Sequence, residues 1–222
     1  MNINGTEINI DNLNEPHLAL VFLLDTSGSM NNAISNYVNA LNEFIVNAKE
    51  DYLTYKRIDI TIIEFNDTVK IVQDFIPISK MKTVELSAYG LTTMGHAINL
   101  AIDKTKERIR LYNELGMQYY KPHIVMFTDG YPTDDMECAK QRLNELVKNN
   151  KLNFFAIGAP SNCDFWFLRE LTRNSVVLDY KEYDDIFSWL LDGMKKISNS
   201  QVNEIVEFSN LPKDSHILDF WD

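Results

Sequence analysis

The sequence predicts an α/β fold of the doubly wound type: a mostly parallel central sheet with one antiparallel edge strand and helices on both faces. Short apolar runs rich in β-branched residues alternate along the chain with segments whose apolar residues recur at helical spacing. Strands that alternate with helices are joined by right-handed crossovers, which place helices over both faces of a parallel sheet. A chain of 222 residues, 45% of them hydrophobic, has an ordinary size and composition for one such domain.

The first half of the chain supplies a central strand, a helix and an edge hairpin. Residues 18–24 form an unbroken apolar run, which is typical of a strand buried on both faces. Residues 34–48 carry one apolar stripe at helical spacing. A second β-branched run at 58–63 turns at Asn66-Asp67 into a short strand at 69–72, which predicts the antiparallel edge.

The same alternation continues through the second half. Helical stripes are predicted over 98–112, 139–147, 165–171 and 186–197, and strands over 123–127, 154–157 and 176–178. Val147 is expected to face inward, and Trp166 and Trp189 fall on helix stripes and are expected in the core.

The predicted domain spans residues 18–198, preceded by an N-terminal extension at 1–17 and followed by a tail at 199–222. The tail lacks helical periodicity but is too apolar for a free disordered arm, as its residues Ile205, Val206, Phe208, Ile217, Phe220 and Trp221 show. Packing on its own domain and capture by a partner subunit are both open.

Composition narrows the class of partner and the compartment. The formal charge is −11, from 21 basic and 32 acidic side chains, which disfavours nucleic acid because binding to phosphates depends on Lys and Arg. The first residues lack a secretory signal pattern, and no apolar run reaches the ~18 residues of a membrane span. Cys138 and Cys163 form no paired motif and are expected as buried reduced thiols. A cytoplasmic protein is therefore expected.

Three polar loops follow predicted strands and could meet at one edge of the sheet. In a doubly wound sheet the ligand crevice opens beyond the carboxyl ends of the strands, where the winding reverses. Asp25, Ser27 and Ser29 follow the first central strand, Asp129 follows the fourth, and Thr92 lies in the loop 90–95. These are oxygen ligands only, which favours a hard cation such as Mg²⁺, with Mn²⁺ or Ca²⁺ as alternatives.

Each loop also has a simpler structural interpretation. Asp25-Thr26-Ser27 could cap the next helix, and Thr128-Asp129-Gly130 could be an ordinary Asp-Gly turn. All three loops occur in order at three predicted strand ends, and this combination favours the metal site over the separate structural interpretations. With only one or two carboxylates bound directly, the cation would keep enough positive charge to attract an Asp or Glu from another protein.

These residues resemble a known family. Asp25-Thr26-Ser27-Gly28-Ser29 is similar to the DxSxS signature of von Willebrand factor A domains, Thr92 to the family's metal-binding threonine, and Asp129 to the aspartate of its TDG loop. The resemblance implies a metal-ion-dependent adhesion site (MIDAS), built from Asp25, Ser27, Ser29, Thr92 and Asp129. It also implies Mg²⁺- or Mn²⁺-dependent protein binding without chemistry at the metal.

One stretch resembles a bacterial branch of that family, and one position departs from the family. Residues 128–135 are similar to the TDGxPTDD stretch of bacterial tellurium-resistance-associated members, which implies a bacterial or phage origin and work within stress-response or defence assemblies. The family often has Gly-Gly before its threonine, whereas Gly90-Leu91 precedes Thr92 here, so Thr93 competes with Thr92 as ligand.

Residues near the metal loops have predicted roles of their own. Tyr131, Thr93 and Met30 are expected at a partner-binding rim, since an aromatic beside the metal is suited to protein contact. Asp134 and Asp135 are expected to begin a helix and favour its dipole.

Two other classes of protein compete with a binding module. A phosphotransferase of the haloacid-dehalogenase type needs a second carboxylate two residues after the first, and that position is Ser27. No nucleophile-and-base motif or phosphate-binding loop occurs elsewhere, so an enzyme is not expected. The third possibility is a structural subunit with a vestigial metal site.

Overall fold

A computed structural model describes residues 2–3, 6–7, 13–129, 131–158, 163–177 and 183–208. The described strands are β1 (Asn2–Ile3), β2 (Thr6–Glu7), β3 (Leu18–Asp25), β4 (Ile58–Phe65), β5 (Val69–Pro77), β6 (His123–Thr128), β7 (Asn153–Gly158) and β8 (Ser175–Val177). The described α-helices are α1 (Ile34–Ala48), α2 (Tyr52–Arg57), α3 (Met94–Glu114), α4 (Glu137–Lys148), α5 (Phe165–Leu171) and α6 (Tyr183–Asn199).

Within the described ranges, the central sheet has six strands in the order β5-β4-β3-β6-β7-β8. Every neighbouring pair is parallel except β4 and β5, so β5 is the antiparallel edge strand. Strands β1 and β2 form a separate antiparallel pair. The predicted fold class is confirmed, and the winding reverses between β3 and β6 at the centre of the sheet.

Helices cover both faces because β3 alternates its side chains between two apolar layers. Leu20 and Phe22 face a layer built with α1 and α6, and Val21 and Leu23 face a layer built with α3, α4 and α5. All eight residues of β3 are buried. The unbroken apolar run was therefore a correct sign of a strand covered on both sides.

Several sequence-based expectations need correction. Strand β5 runs to Pro77 and not only to residue 72, and α2 was not predicted. Val147 is 38% exposed although it lies only about 40° round the helix from the buried Leu143, because it stands in the last turn of α4, which ends at Lys148. Trp166 is 64% exposed, since it lies about 200° from the buried Leu168 on α5. Trp189 is buried, as predicted.

Both cysteines are free thiols, but neither is fully buried: Cys138 is exposed and Cys163 is partly buried. No described helix is long and apolar enough to cross a membrane. Of the tail, only residues up to 208 are described, so Ile217, Phe220 and Trp221 lie outside the described residues, as does residue 178 of the last predicted strand.

A buried charged cluster fixes the amino-terminal ends of β3 and β4 against α3. One oxygen of Asp59 lies 2.9 Å from His17 Nδ1, accepts a 2.6 Å hydrogen bond from the Tyr112 hydroxyl, and pairs with Arg108 at 2.8 Å. Burial alone would raise the pKa of Asp59, but the Arg108 charge and the His17 and Tyr112 contacts outweigh it and hold that pKa well below its ordinary value. This cluster lies at the end of the sheet opposite to the polar loops.

Candidate metal centre

The site is positioned by the two central strands. Leu24 of β3 pairs in register with Phe127 of β6, so the next residues, Asp25 and Thr128, end neighbouring strands at the same edge. This edge is the point where the winding reverses, which is where doubly wound folds open a crevice. The loops that follow β3 and β6 are therefore brought together by the sheet itself.

Asp25 is a buried carboxylate held by two donors. Its Oδ1 accepts a 2.8 Å hydrogen bond from the Ser27 amide, and its Oδ2 accepts one of 2.5 Å from the Thr128 hydroxyl. The side chain is fully buried and has no cationic partner among the described residues. Burial raises the pKa of Asp25 from 3.8 to about 6, and the bonds from Thr128 and Ser27 offset only part of that effect.

Ser27, Ser29 and Asp129 form a chain of hydrogen bonds beside it. The Ser27 and Ser29 hydroxyl oxygens lie 3.0 Å apart, and the Ser29 hydroxyl donates to Asp129 Oδ1 at 2.7 Å. Asp129 is buried, and burial raises its pKa while the Ser29 bond opposes the shift. Ser29 is exposed. The group of oxygens therefore opens to solvent at Ser29.

The loop before α3 lies against the same group. The Gly28 amide donates to the Gly90 carbonyl at 3.0 Å, and the Tyr89 amide donates to the Thr26 carbonyl at 2.8 Å. The Thr93 hydroxyl donates to the Asn66 carbonyl at 2.8 Å. The Thr92 hydroxyl, by contrast, has no hydrogen-bond partner in the described part of the chain. Thr92 is therefore the better candidate ligand of the two threonines.

This loop conformation requires glycine at position 90. Gly90 has a φ of +77°, and a Cβ built there would lie 2.3 Å from Oδ2 of Asp67. The other oxygen of Asp67 accepts a 2.7 Å bond from the Leu91 amide and so holds the loop. A side chain at position 90 would displace Asp67, and with it the segment that carries Thr92.

Asp134 holds the same segment from the other side. Its two oxygens accept bonds of 2.9 Å from the amides of Gly95 and His96, at the start of α3. The prediction that Asp134 begins its own helix is wrong, since α4 starts at Glu137 and Asp134 caps α3 instead. The adjacent Thr133 exchanges backbone and side-chain bonds with Thr92 at 2.9 and 3.2 Å. The loop after β6 thus braces the loop before α3.

The predicted partner-binding rim is changed by the structure. Tyr131 is 60% exposed, and its hydroxyl donates to Asp164. Thr93 is only partly buried, but its hydroxyl is occupied by Asn66. Met30 was wrongly placed at the rim, because the 3-10 helix Gly28–Asn32 turns its side chain into the core, where it is fully buried.

Sequence reasoning missed the supporting residues and part of the exposed surface. Thr128 holds Asp25, and Asn66 holds Thr93. Thr128 could have been identified from the sequence, because it ends the strand next to the one that ends at Asp25. Tyr89 and Leu91, which flank Gly90, are more than half exposed. Their positions on either side of a loop glycine were the available signal.

The donor set fits a hard divalent cation. Two buried carboxylates, Asp25 and Asp129, have no cationic partner among the described residues, and a buried charge ordinarily requires a partner or a metal. No three His, Cys, Asp or Glu side chains cluster as a metal site within the described ranges. An ion here would therefore depend on the hydroxyls of Ser27, Ser29 and Thr92 as well as on the carboxylates.

The fold and this edge define an α/β domain with a hydroxyl-rich candidate cation site at the switch point of its sheet. The model of the von Willebrand factor type A domain matches residues 19–187. The chain belongs to the von Willebrand factor type A domain family. No curated protein sequence matches the chain.

Solved structures show the same fold at low sequence identity. The ArnB paralog VWA2 from Sulfolobus acidocaldarius matches with a TM-score of 0.55 and 15% identity, over 81% of this chain and 46% of that one. The mussel byssus proximal thread matrix protein 1 "with zinc occupied MIDAS motif" matches at 0.59 and 14%, over 81% and 48%. The manganese-loaded TRAP protein of Plasmodium vivax matches at 0.57 and 18%, over 79% and 73%. The chain spans about half the length of the first two.

Proposed function

We propose that this protein is a metal-dependent protein-binding module in which Mg²⁺ is held by Asp25, Ser27, Ser29, Thr92 and Asp129. The observation that carries the proposal is the pair of buried carboxylates, both without a cationic partner among the described residues, joined to a chain of hydroxyls that opens at Ser29. The manganese-loaded TRAP protein and the mussel byssus protein with a zinc-occupied MIDAS motif share this fold.

The chain's own residues prepare this site in two ways. Thr128 and the Ser27 amide fix both oxygens of Asp25, and Ser29 orients Asp129, so few side-chain rotations are needed when an ion binds. Mg²⁺ would supply a positive charge with a position open to a carboxylate from a partner, because it usually keeps waters or takes a ligand oxygen there. The partner we propose is a protein that presents Asp or Glu.

The residues described at the site give no support for catalysis. The position two residues after Asp25 carries Ser27, which cannot protonate a leaving group as a carboxylic acid does. We therefore propose a non-enzymatic role. The tellurium-resistance context, the bacterial defence assembly and the cytoplasmic location depend on sequence patterns alone, and they stay predictions.

The first test is calorimetric titration of Mg²⁺ into metal-free protein, with Ser29→Ala as the site variant and exposed Ser35→Ala on α1 as its matched control. We expect heat with wild type and the control, and binding at least tenfold weaker for Ser29→Ala, which corresponds to about 1.4 kcal/mol. Equal heats in all three proteins, or none in any, would indicate that the site is vestigial.

The second test addresses recruitment. Immobilised wild type is incubated with host lysate in Mg²⁺ or in chelator, and Ser29→Ala is incubated in Mg²⁺. We expect the same partner to be lost with chelator and with Ser29→Ala, and kept with Ser35→Ala. Partners that remain bound in chelator would show that the metal does not recruit them, even if the calorimetry detects an ion.

A further inference from the structure

A cavity lies at the opposite end of the sheet from the metal centre. It has a volume of about 710 Å³ and opens beside the amino-terminal ends of β6 and β7. Its wall includes Phe155 of β7, Trp189 of α6 and Phe208 of the segment after α6. Pockets of a few hundred Å³ with aromatic walls are typical of binding sites. We refer to it as the basal pocket.

The segment after α6 already forms one wall of the basal pocket through a built contact. The ring of Phe208 lies over Gly193, where a Cβ would be only 2.0 Å from a Phe208 ring carbon. The same ring packs against His123, Phe155 and Trp189 at centroid distances of 6.1, 5.4 and 5.0 Å. The chain is therefore anchored at this pocket as it reaches residue 208.

The rim of the basal pocket is basic, although the protein carries a formal charge of −11. Lys121, Lys151 and Arg173 line it, and the described ion pairs involve other cations. Lys121 donates to the neutral amide of Asn150 at 2.6 Å. Glu204 also lines the pocket, but it accepts the Gln201 amide in its own turn.

The mouth also leaves apolar surface uncovered. Ile205, which lines the pocket, is 90% exposed. An exposed aliphatic side chain next to aromatic walls and unpaired cations fits a ligand that is both apolar and acidic.

The sequence contains such a ligand directly after Phe208. Residues 209–222 lie outside the described residues and carry one lysine against three aspartates. Their last five residues are Leu218-Asp219-Phe220-Trp221-Asp222, in which two aromatic rings stand between two carboxylates. We infer that this segment docks in the basal pocket of its own chain, with Phe220 or Trp221 among the aromatic walls and Asp219 and Asp222 at the basic rim.

Because the chain itself links the segment to the pocket, even a weak affinity between them is sufficient for docking. Ten residues separate Phe208 from Asp219, and each adds at most ~3.3–3.6 Å of reach, so the segment can turn back into a pocket that borders its anchor. A short tether gives an effective concentration of about 1 mM. A segment whose free peptide binds with a Kd of about 0.1 mM would then be docked in roughly ten molecules for each undocked one.

Acrylamide quenching of tryptophan fluorescence in the full chain tests this inference. The exposed Trp166 is replaced by Phe, so that the emission comes from Trp189 in the pocket wall and Trp221 in the segment. Trp189 is already buried, so a change in quenching reports mainly on Trp221. We expect the quenching constant to rise severalfold when the rim is reversed by Lys151→Glu with Arg173→Glu, and equally when the segment is reversed by Asp219→Lys with Asp222→Lys.

Two controls make the result specific. Reversal of two exposed lysines elsewhere, Lys82→Glu with Lys106→Glu, should leave quenching unchanged. A variant that combines the rim and segment reversals should restore the shielding of the tryptophan, because the charges are again complementary. A loss of shielding caused by misfolding would not be restored in this way.

Two results would overturn the inference. Quenching that is the same with and without the rim reversal would show that the segment does not dock in the pocket. Shielding that grows with protein concentration, together with elution as a dimer, would assign the pocket to the segment of a second copy.

Discussion

Replacing Asp25 by Asn should stabilise the metal-free protein while removing its response to Mg²⁺. The carboxylate is fully buried, and burial raises its pKa to about 6. A group whose folded-state pKa lies above its unfolded value of 3.8 stabilises the fold only while it is protonated, so this contribution is lost as the pH rises through about 6. At neutral pH the ionised Asp25 therefore opposes folding.

The size of the Asp25 pKa shift determines how much stability the substitution should add. Raising the pKa from 3.8 to about 6 corresponds to about 3 kcal/mol at pH 7.5, from ~1.4 kcal/mol for each pKa unit. Asn can accept the bond from the Ser27 amide through its oxygen, and its amide can donate to the Thr128 hydroxyl, so the substitution leaves no buried polar group without a partner. We expect Asp25→Asn to be more stable than wild type by up to this amount.

Urea unfolding in chelator, followed by circular dichroism from pH 4 to 8, measures the difference. It should be close to zero at pH 4 and should reach its full size above pH 7, whereas exposed Asp192→Asn on α6 should show no such trend. Saturating Mg²⁺ should then stabilise wild type and not Asp25→Asn, because only a ligand bound to the folded state raises its stability. A variant less stable than metal-free wild type at pH 7.5 would refute the reasoning about Asp25.

Three further predictions concern positions in and around the site. Ser29→Ala should lower the unfolding free energy of the metal-free protein by only about 1 kcal/mol in urea, since Ser29 is exposed but its hydroxyl donates to the buried Asp129, so a loss of several kcal/mol would show that Ser29 supports the fold and not only the site. Asp59→Asn should destabilise the fold by about 3–5 kcal/mol in urea at pH 7, because it leaves the buried Arg108 without its counter-charge. The folded-state pKa of Asp59 is lowered, so the stability difference between wild type and this variant should shrink as the pH falls below about 4. Gly90→Ala should cost more stability than Gly116→Ala, as both have positive φ but only Gly90 meets a neighbouring carboxylate; equal melting temperatures would show that Asp67 moves aside freely.

Periodicity alone was sufficient for the layers of the fold. The apolar run at 18–24 predicted a strand covered on both faces, because such a strand is apolar at every position, and the stripe at 34–48 predicted α1, because burial of one helix face repeats every 3.6 residues. The failures were local to two helices. Val147 is exposed in the last turn of α4, and Trp166 lies on the exposed face of α5.

Most of the composition of the metal centre could also be predicted, because Asp25, Ser27, Ser29 and Asp129 follow strand ends that a parallel sheet must bring to one edge. Asp25 and Asp129 are 104 positions apart, yet the register of β3 with β6 places their loops together. The choice between Thr92 and Thr93 needed the structure, since it depends on the Asn66 carbonyl that occupies one hydroxyl.

The sequence by itself determined the class of fold, the family signature and the chemistry of the oxygen ligands, because these depend on residue type and on spacing along the chain. Only the tertiary structure decided that Asp134 caps α3 and that Met30 is buried in the core. It also decided that Phe208 lies over Gly193. The physical reason is that hydrogen bonds and packing act through space, between residues that the folded sheet brings together from distant positions in the chain.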